Sequence, residues 1–184
     1  MVSPRILRMS SFAVVAYLAL RSTAGEALEL TSLDISNGAT LRLAQVHTQC
    51  GGENRSPALA WSGAPKTAES YAVSMFDSDA NGGRGFWHWL VFNIPASVHG
   101  LPAGAGSESG LPSGAAQAEN DFGTPGYGGA CPPPGSGTHH YTLTLYGLPT
   151  ARVPLDNNAS ASVIAAYVKA HALATATLTA TYKR

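Results

Sequence analysis

Apolar and polar residues alternate with a period of two along three stretches of this chain, and in each the apolar face runs into an ionisable side chain. In Tyr71–Asp77 the face Tyr71/Val73/Met75 continues to Asp77 and, if the chain stays extended, to Asp79. In His88–Ile94 the face Leu90/Phe92/Ile94 begins at His88, and in His139–Leu145 the face Tyr141/Leu143/Leu145 begins at His139. Side chains two apart share one side of a pleated strand, so these groupings follow from the pleat. A carboxylate or imidazole at the end of an apolar face must find partners or lose its charge. Three such strands as neighbours would bring these groups to one edge of a core, as a small polar pocket. The plainer alternative is that Asp77 ends a turn and both histidines are satisfied at the core edge.

The same pattern predicts further elements. Leu28–Thr31, Leu41–Val46, Ser56–Trp61 and Ala176–Tyr182 read as strands, the last with Thr177/Thr179/Thr181 wet and Leu178/Ala180/Tyr182 dry. Around Val91 both faces are apolar, which predicts a central strand covered on both sides. Ala159–Leu173 supplies good helix formers behind a cap at Asp156, Asn157 or Asn158. Val163, Ile164, Tyr167, Val168 and His171 fall at helical spacing there, and His171 reads as a helix-face histidine. Between residues 100 and 138, Gly and Pro make up 17 of 39 positions. Phe122, Tyr127 and the Pro132-Pro133-Pro134 run make that stretch an ordered loop, because prolines restrict the backbone and aromatics give it something to pack. The result is one mainly antiparallel β domain with a late helix.

Composition narrows the classes. Charged residues are 12% and apolar residues 45% of the chain, which suits a packed globule and not a disordered segment. There are 11 basic and 11 acidic residues with no basic run, which argues against nucleic acid as a partner. The N-terminus differs from the rest. Arg5 and Arg8 precede the apolar run Phe12–Leu20, and small residues follow at Ser22, Thr23, Ala24 and Gly25. That order reads as a secretory signal over residues 1–24, cut after Ala24 or, as the alternative, after Ala27, with residues 25–184 as a single domain. The apolar run is too short for a membrane span. Removing Arg5, Arg8 and Arg21 leaves a mildly acidic periplasmic or secreted protein. Export and an even cysteine count suggest a Cys50–Cys131 disulfide, the alternative being two buried free thiols.

Taken in order, six segments resemble the phosphatidylethanolamine-binding protein family, and most nearly its bacterial YbhB/YbcL-type branch, called Raf-kinase-inhibitor-like. They are Ser56–Trp61, Asp77–Ala80, Trp87–Pro95, Asn120–Gly129, Cys131-Pro132-Pro133 and His139-His140-Tyr141. The similarity spans about Leu30 to Tyr182. It implies a large antiparallel sheet packed on a smaller one, with few helices and an anion pocket at a sheet edge. Carried onto this chain, the family's pocket residues are Asp77, Asp79, His88, Pro132, Pro133, His139 and Tyr141. Ser78 and Asn81 stand where the family usually has prolines, and His140 where it has arginine. By strand alternation His140 points away from His139 and Tyr141. The chain also ends just after its last strand, without the C-terminal helix of the animal members, which puts animal-type regulation in doubt.

These residues suit an exported, non-enzymatic binding protein for a small anion, phosphoryl group or phospholipid head group. Asp77 would orient a histidine N–H, with Asp79 assisting. His88, His139, the Tyr141 hydroxyl and the amides of the Gly126–Gly129 loop would hold the guest. Two aspartates and two histidines could hold zinc or iron, but no H-x-H or H-E-x-x-H spacing supports a metal, and no cofactor is implied. A hydrolase or lyase using an Asp–His pair is the alternative, but no G-x-S-x-G elbow is present. A kinase- or protease-inhibitor module acting on a protein partner is a third reading, and a homodimer fits the bacterial branch.

Overall fold

The computed structural model describes residues 27–107, 110–156 and 158–184, so the N-terminal signal assignment lies outside the described residues. The strands are β1 (Glu29–Thr31), β2 (Ala39–Thr40), β3 (Leu59–Ser62), β4 (Ser70–Asp77), β5 (Phe86–Pro95), β6 (Gly100–Leu101), β7 (Ala116–Gln117), β8 (His139–Leu148) and β9 (Ala174–Tyr182). The helices are a four-residue turn, α1 (Ala80–Gly83), and α2 (Ala161–His171). Six strands form the large sheet in the order β2-β9-β8-β4-β5-β7, and β1-β3-β6 form the small one. Pairing is antiparallel except between β2 and β9.

The chain is mainly β, in three layers. Leu30, Leu59, Trp61 and Leu101 of the small sheet meet Tyr71, Val73, Met75, Tyr141, Leu143 and Leu145 of the large one in a first core. On the other side, Ala161, Ile164, Ala165 and Val168 of α2 cover Ala72, Leu90, Phe92 and Leu148. β4 and β5 are therefore buried on both faces, as the two-sided apolar pattern around Val91 requires.

Three expectations change. Leu41–Val46 is not a strand: β2 precedes it, and Leu43–Gln45 is a 3₁₀ turn with Gln45 buried. Its alternation carries no sheet because Leu43 faces solvent at 58% exposure. α2 starts later than its helix formers do, with Ser160 as the extended N-cap. Val163 is not on its buried face, being 49% exposed, while His171 is exposed and stacks on Tyr167.

The third change concerns β5. Strict alternation puts His88 with Leu90, Phe92 and Ile94. Two irregularities in the β4–β5 register break that phase. Met75 pairs with Trp89 and Phe76 with Trp87, so His88 is an extra residue without a partner on β4. Such a bulge reverses the facing of the residues beyond it. Leu90 and Phe92 stay on the α2 side, while His88 turns to the first core and meets the Tyr141 ring at 5.2 Å. A second shift lies between the Tyr71–Ile94 and Val73–Val91 pairs, at Asn93 with φ 57°, and it carries Ile94 into the first core as well.

Candidate functional site

Asp77 ends β4 on the face of Tyr71, Val73 and Met75, and His139 opens β8 on the face of Tyr141 and Leu143. β4 and β8 are neighbours with Asp77 opposite Tyr141, so the two ionisable ends lie together. The bulge in β5 adds His88 from the other flank. All three side chains are buried: Asp77 is 2%, His88 3% and His139 4% exposed.

Asp77 acts in two directions. Its Oδ1 accepts from the backbone N–H of Asp79 at 2.9 Å and of Ala80 at 3.2 Å, which is how an aspartate ties a turn. These bonds, with Asn81 Nδ2 donating to the Gly85 carbonyl at 3.0 Å, hold the turn that carries Ser78 and Asn81. Its Oδ2 lies 2.7 Å from His139 Nδ1 and 4.0 Å from His88 Nε2. On the far side of the imidazole, His139 Nε2 lies 3.0 Å from Ser136 Oγ, and Ser136 Oγ donates to the Pro133 carbonyl at 2.7 Å.

His88 is fixed by a loop from the breaker-rich stretch. Its Nδ1 lies 2.7 Å from the Gly128 carbonyl oxygen, and the Gly128 N–H donates to the His88 carbonyl at 2.8 Å. Burial pushes the His88 pKa below its ordinary value, against the opposing pull of the Gly128 carbonyl and the Asp77 charge. Around this ring stand Phe86 at 4.9 Å and Phe122 at 5.6 Å between centroids, and Phe122 in turn stacks on His47.

These groups surround a cavity of about 600 Å³. Asp77, Asp79, His88, Pro132, Pro133 and His139 line it. Tyr141 does not: it is wholly buried beneath, and its hydroxyl has no hydrogen-bond partner among the described residues. Burial and the Asp77 charge raise its pKa well above that of an ordinary phenol. Asp79 sits on the rim and engages neither lining imidazole. Its Oδ2 accepts from the His140 backbone N–H at 2.7 Å and lies 2.9 Å from His140 Nδ1. These bonds hold its carboxyl below the usual range. His140 is exposed, as strand alternation requires.

Three of the four amides of the expected Gly126–Gly129 cradle are not free. The Tyr127 N–H donates to the Gly106 carbonyl, Gly128 to His88 and Gly129 to Asn54 Oδ1. The loop secures the histidine instead of offering its donors to a guest. Ser136, Phe86 and Phe122 also line the cavity and were missed from sequence. Ser136 stands three residues before His139, the one local signal that could have found it. Cys131, a further lining residue, is joined to Cys50 with a Cα–Cα distance of 5.6 Å. Among the described residues no cluster of His, Cys, Asp or Glu is placed to hold a metal ion, and no helix is long and apolar enough to cross a membrane.

A two-sheet β protein with a buried carboxylate between two imidazoles at a sheet edge is the class that fold and site define. The sequence model described as phosphatidylethanolamine-binding protein matches residues 31–183. The UPF0098 protein YbcL of Escherichia coli is 42% identical over 174 residues, covering 92% of this chain and 94% of YbcL. The UPF0098 protein YbhB of the same organism is 40% identical over 158 residues, covering 84% of this chain and 99% of YbhB. The crystal structure of Escherichia coli YbcL, described as a new member of the mammalian PEBP family, superposes with a TM-score of 0.82 at 43% identity, covering 85% of this chain and 98% of that one. The chain belongs to the phosphatidylethanolamine-binding protein family.

Proposed function

We propose that this protein is exported and binds a small anion or phosphorylated head group in the cavity between Asp77, His88 and His139. One observation carries the reading: two buried imidazoles and one buried carboxylate meet at a single cavity of about 600 Å³. That volume lies in the range of small-ligand sites, which combine apolar walls with a few converging polar groups. Phe86, Phe122 and Pro132 supply the walls, and Ser136 Oγ and His139 Nε2, 3.0 Å apart, form the polar end. The disulfide supports export, since such bonds persist in oxidising compartments. Residues 25–184 then act as one domain.

Inorganic phosphate titrated into the full chain should shift the ring resonances of His88 and His139 by NMR. Silence of both rings up to millimolar phosphate would overturn the binding reading.

A second reading, acyl-transfer hydrolysis, is favoured by the Ser136–His139–Asp77 chain, with steps of 3.0 and 2.7 Å in the order of a serine triad. Against it, the Ser136 hydroxyl already donates to Pro133. Covalent labelling of Ser136 by a fluorophosphonate in the same samples would support this reading, and an unlabelled serine would retire it.

A further inference from the structure

The hydrogen-bond inventory of the cavity determines which proton its guest must bring, given the binding reading above. His88 Nδ1 lies 2.7 Å from a backbone carbonyl, so that nitrogen carries a hydrogen. His88 Nε2 would then carry one only if the ring were charged. It stands 4.0 Å from Asp77 Oδ2, too far for a hydrogen bond, while the same oxygen lies 2.7 Å from His139. A buried imidazolium facing a buried carboxylate would close that gap, because an unpaired charge inside a protein is costly. Burial of His88 acts in the same direction, disfavouring the charged ring. The ring is therefore neutral, and Nε2 is a lone pair.

No other group nearby supplies the missing proton. From β8, His139 is engaged by Asp77 and Ser136, and Tyr141 meets His88 with its ring while its hydroxyl lies beside Asp77. From the β4–β5 turn, Asp79 is held by His140. From the loop before Phe122, Asp121 accepts from the Trp87 backbone N–H at 2.7 Å. His47 stacks behind Phe122, with its Nδ1 accepting from the Gln49 N–H. His88 Nε2 is thus an acceptor that no neighbouring side chain satisfies.

We propose that the cavity selects a singly protonated phosphate oxyanion, free or as a monoester, whose P–OH donates to His88 Nε2 while another of its oxygens accepts from the Ser136 hydroxyl, which turns from the Pro133 carbonyl to the guest. A fully deprotonated oxyanion such as sulfate presents only lone pairs to the His88 lone pair, and a phosphodiester has no P–OH to give. An unmet buried acceptor is what makes such sites discriminate between guests of the same shape.

The test is calorimetric titration of the full chain at about pH 6, near the second ionisation of a phosphomonoester. Inorganic phosphate, sulfate, phosphoethanolamine, glycerophosphoethanolamine and ethanolamine are compared at one ionic strength. Phosphate and phosphoethanolamine should bind about tenfold or more tightly than sulfate and the diester, and their affinity should fall as pH rises and the P–OH ionises. Tighter binding of phosphate than of phosphoethanolamine identifies the free ion as the guest; the reverse identifies the monoester. Sulfate binding as tightly as phosphate overturns the proposal and leaves the anion-binding reading standing. Ethanolamine binding as tightly as phosphoethanolamine overturns it too, by placing an ammonium at His88. If no anion binds, both readings fall. In His88→Gln, whose amide both donates and accepts, the phosphate-to-sulfate ratio should collapse towards one. An unchanged ratio in that variant, with its fold verified by circular dichroism, removes His88 from the discrimination and overturns the proposal.

Discussion

Asp77 and His88 show how much one side chain can settle at the residue scale. Asp77 divides its oxygens between the turn it ends and the imidazole of His139. His88 divides its nitrogens between the Gly128 carbonyl and the cavity. Their meeting could be anticipated in part. Asp77 and His139 follow the period of their strands, so their shared face was legible in the sequence. Ser136 carries no periodic signal, and Tyr141 follows its period so faithfully that it is buried instead of presented. Burial of His88 has a consequence in solution. An unfolded chain protonates this ring near 6.5, and the folded one at lower pH. Between the two values the unfolded state binds more protons, so this contribution to stability is intact above about 6.5 and is lost as pH falls through the interval. A ring titration by NMR should give His88 a midpoint below 6.5, and a midpoint above that value would contradict the neutral ring.

At the scale of elements, β4 and β8 keep a strict period of two, and β5 does not. Both faces of β5 are apolar, so its sequence has no phase from which a bulge could be read. The bulge is held by Gly128, 40 residues away in sequence. Gly129 seats that loop against the turn at Gln45–His47. A Cβ at Gly129 would lie 2.5 Å from the His47 amide nitrogen and 2.6 Å from the Gln45 carbonyl oxygen, and backbone cannot step aside as a side chain can. Gly129→Ala should therefore cost roughly 2–3 kcal/mol by urea denaturation and move the His88 ring resonances. An unperturbed variant would mean that the loop does not hold the histidine.

Across the whole molecule, the Cys50–Cys131 disulfide closes a separation of 81 residues and ends on the cavity wall. It anchors the proline-rich loop that carries Pro132, Pro133 and Ser136 past the mouth of the sheet. Closing so long a loop restricts the unfolded chain, a contribution of about 4–5 kcal/mol in the chain-entropy account. The Cys50→Ser, Cys131→Ser double variant should lose stability of that order in urea unfolding, and phosphate affinity with it. Retention of both would show that packing alone positions the loop.

Local patterning by itself determined the strand-rich class, the late helix, the identity of the ionisable groups and the face on which two of the three lie. These follow from side-chain periodicity and burial, which act between near neighbours in the chain. Only the tertiary structure decided that His88 turns to the same face, that the Gly128 and Gly129 amides are already engaged, that Tyr141 lies beneath the cavity and that Ser136 touches His139. Each of those depends on a hydrogen bond or a packing contact whose geometry the spacing of residues does not specify. A strand's phase can be counted along the chain, but the partner that shifts it has to be met in space.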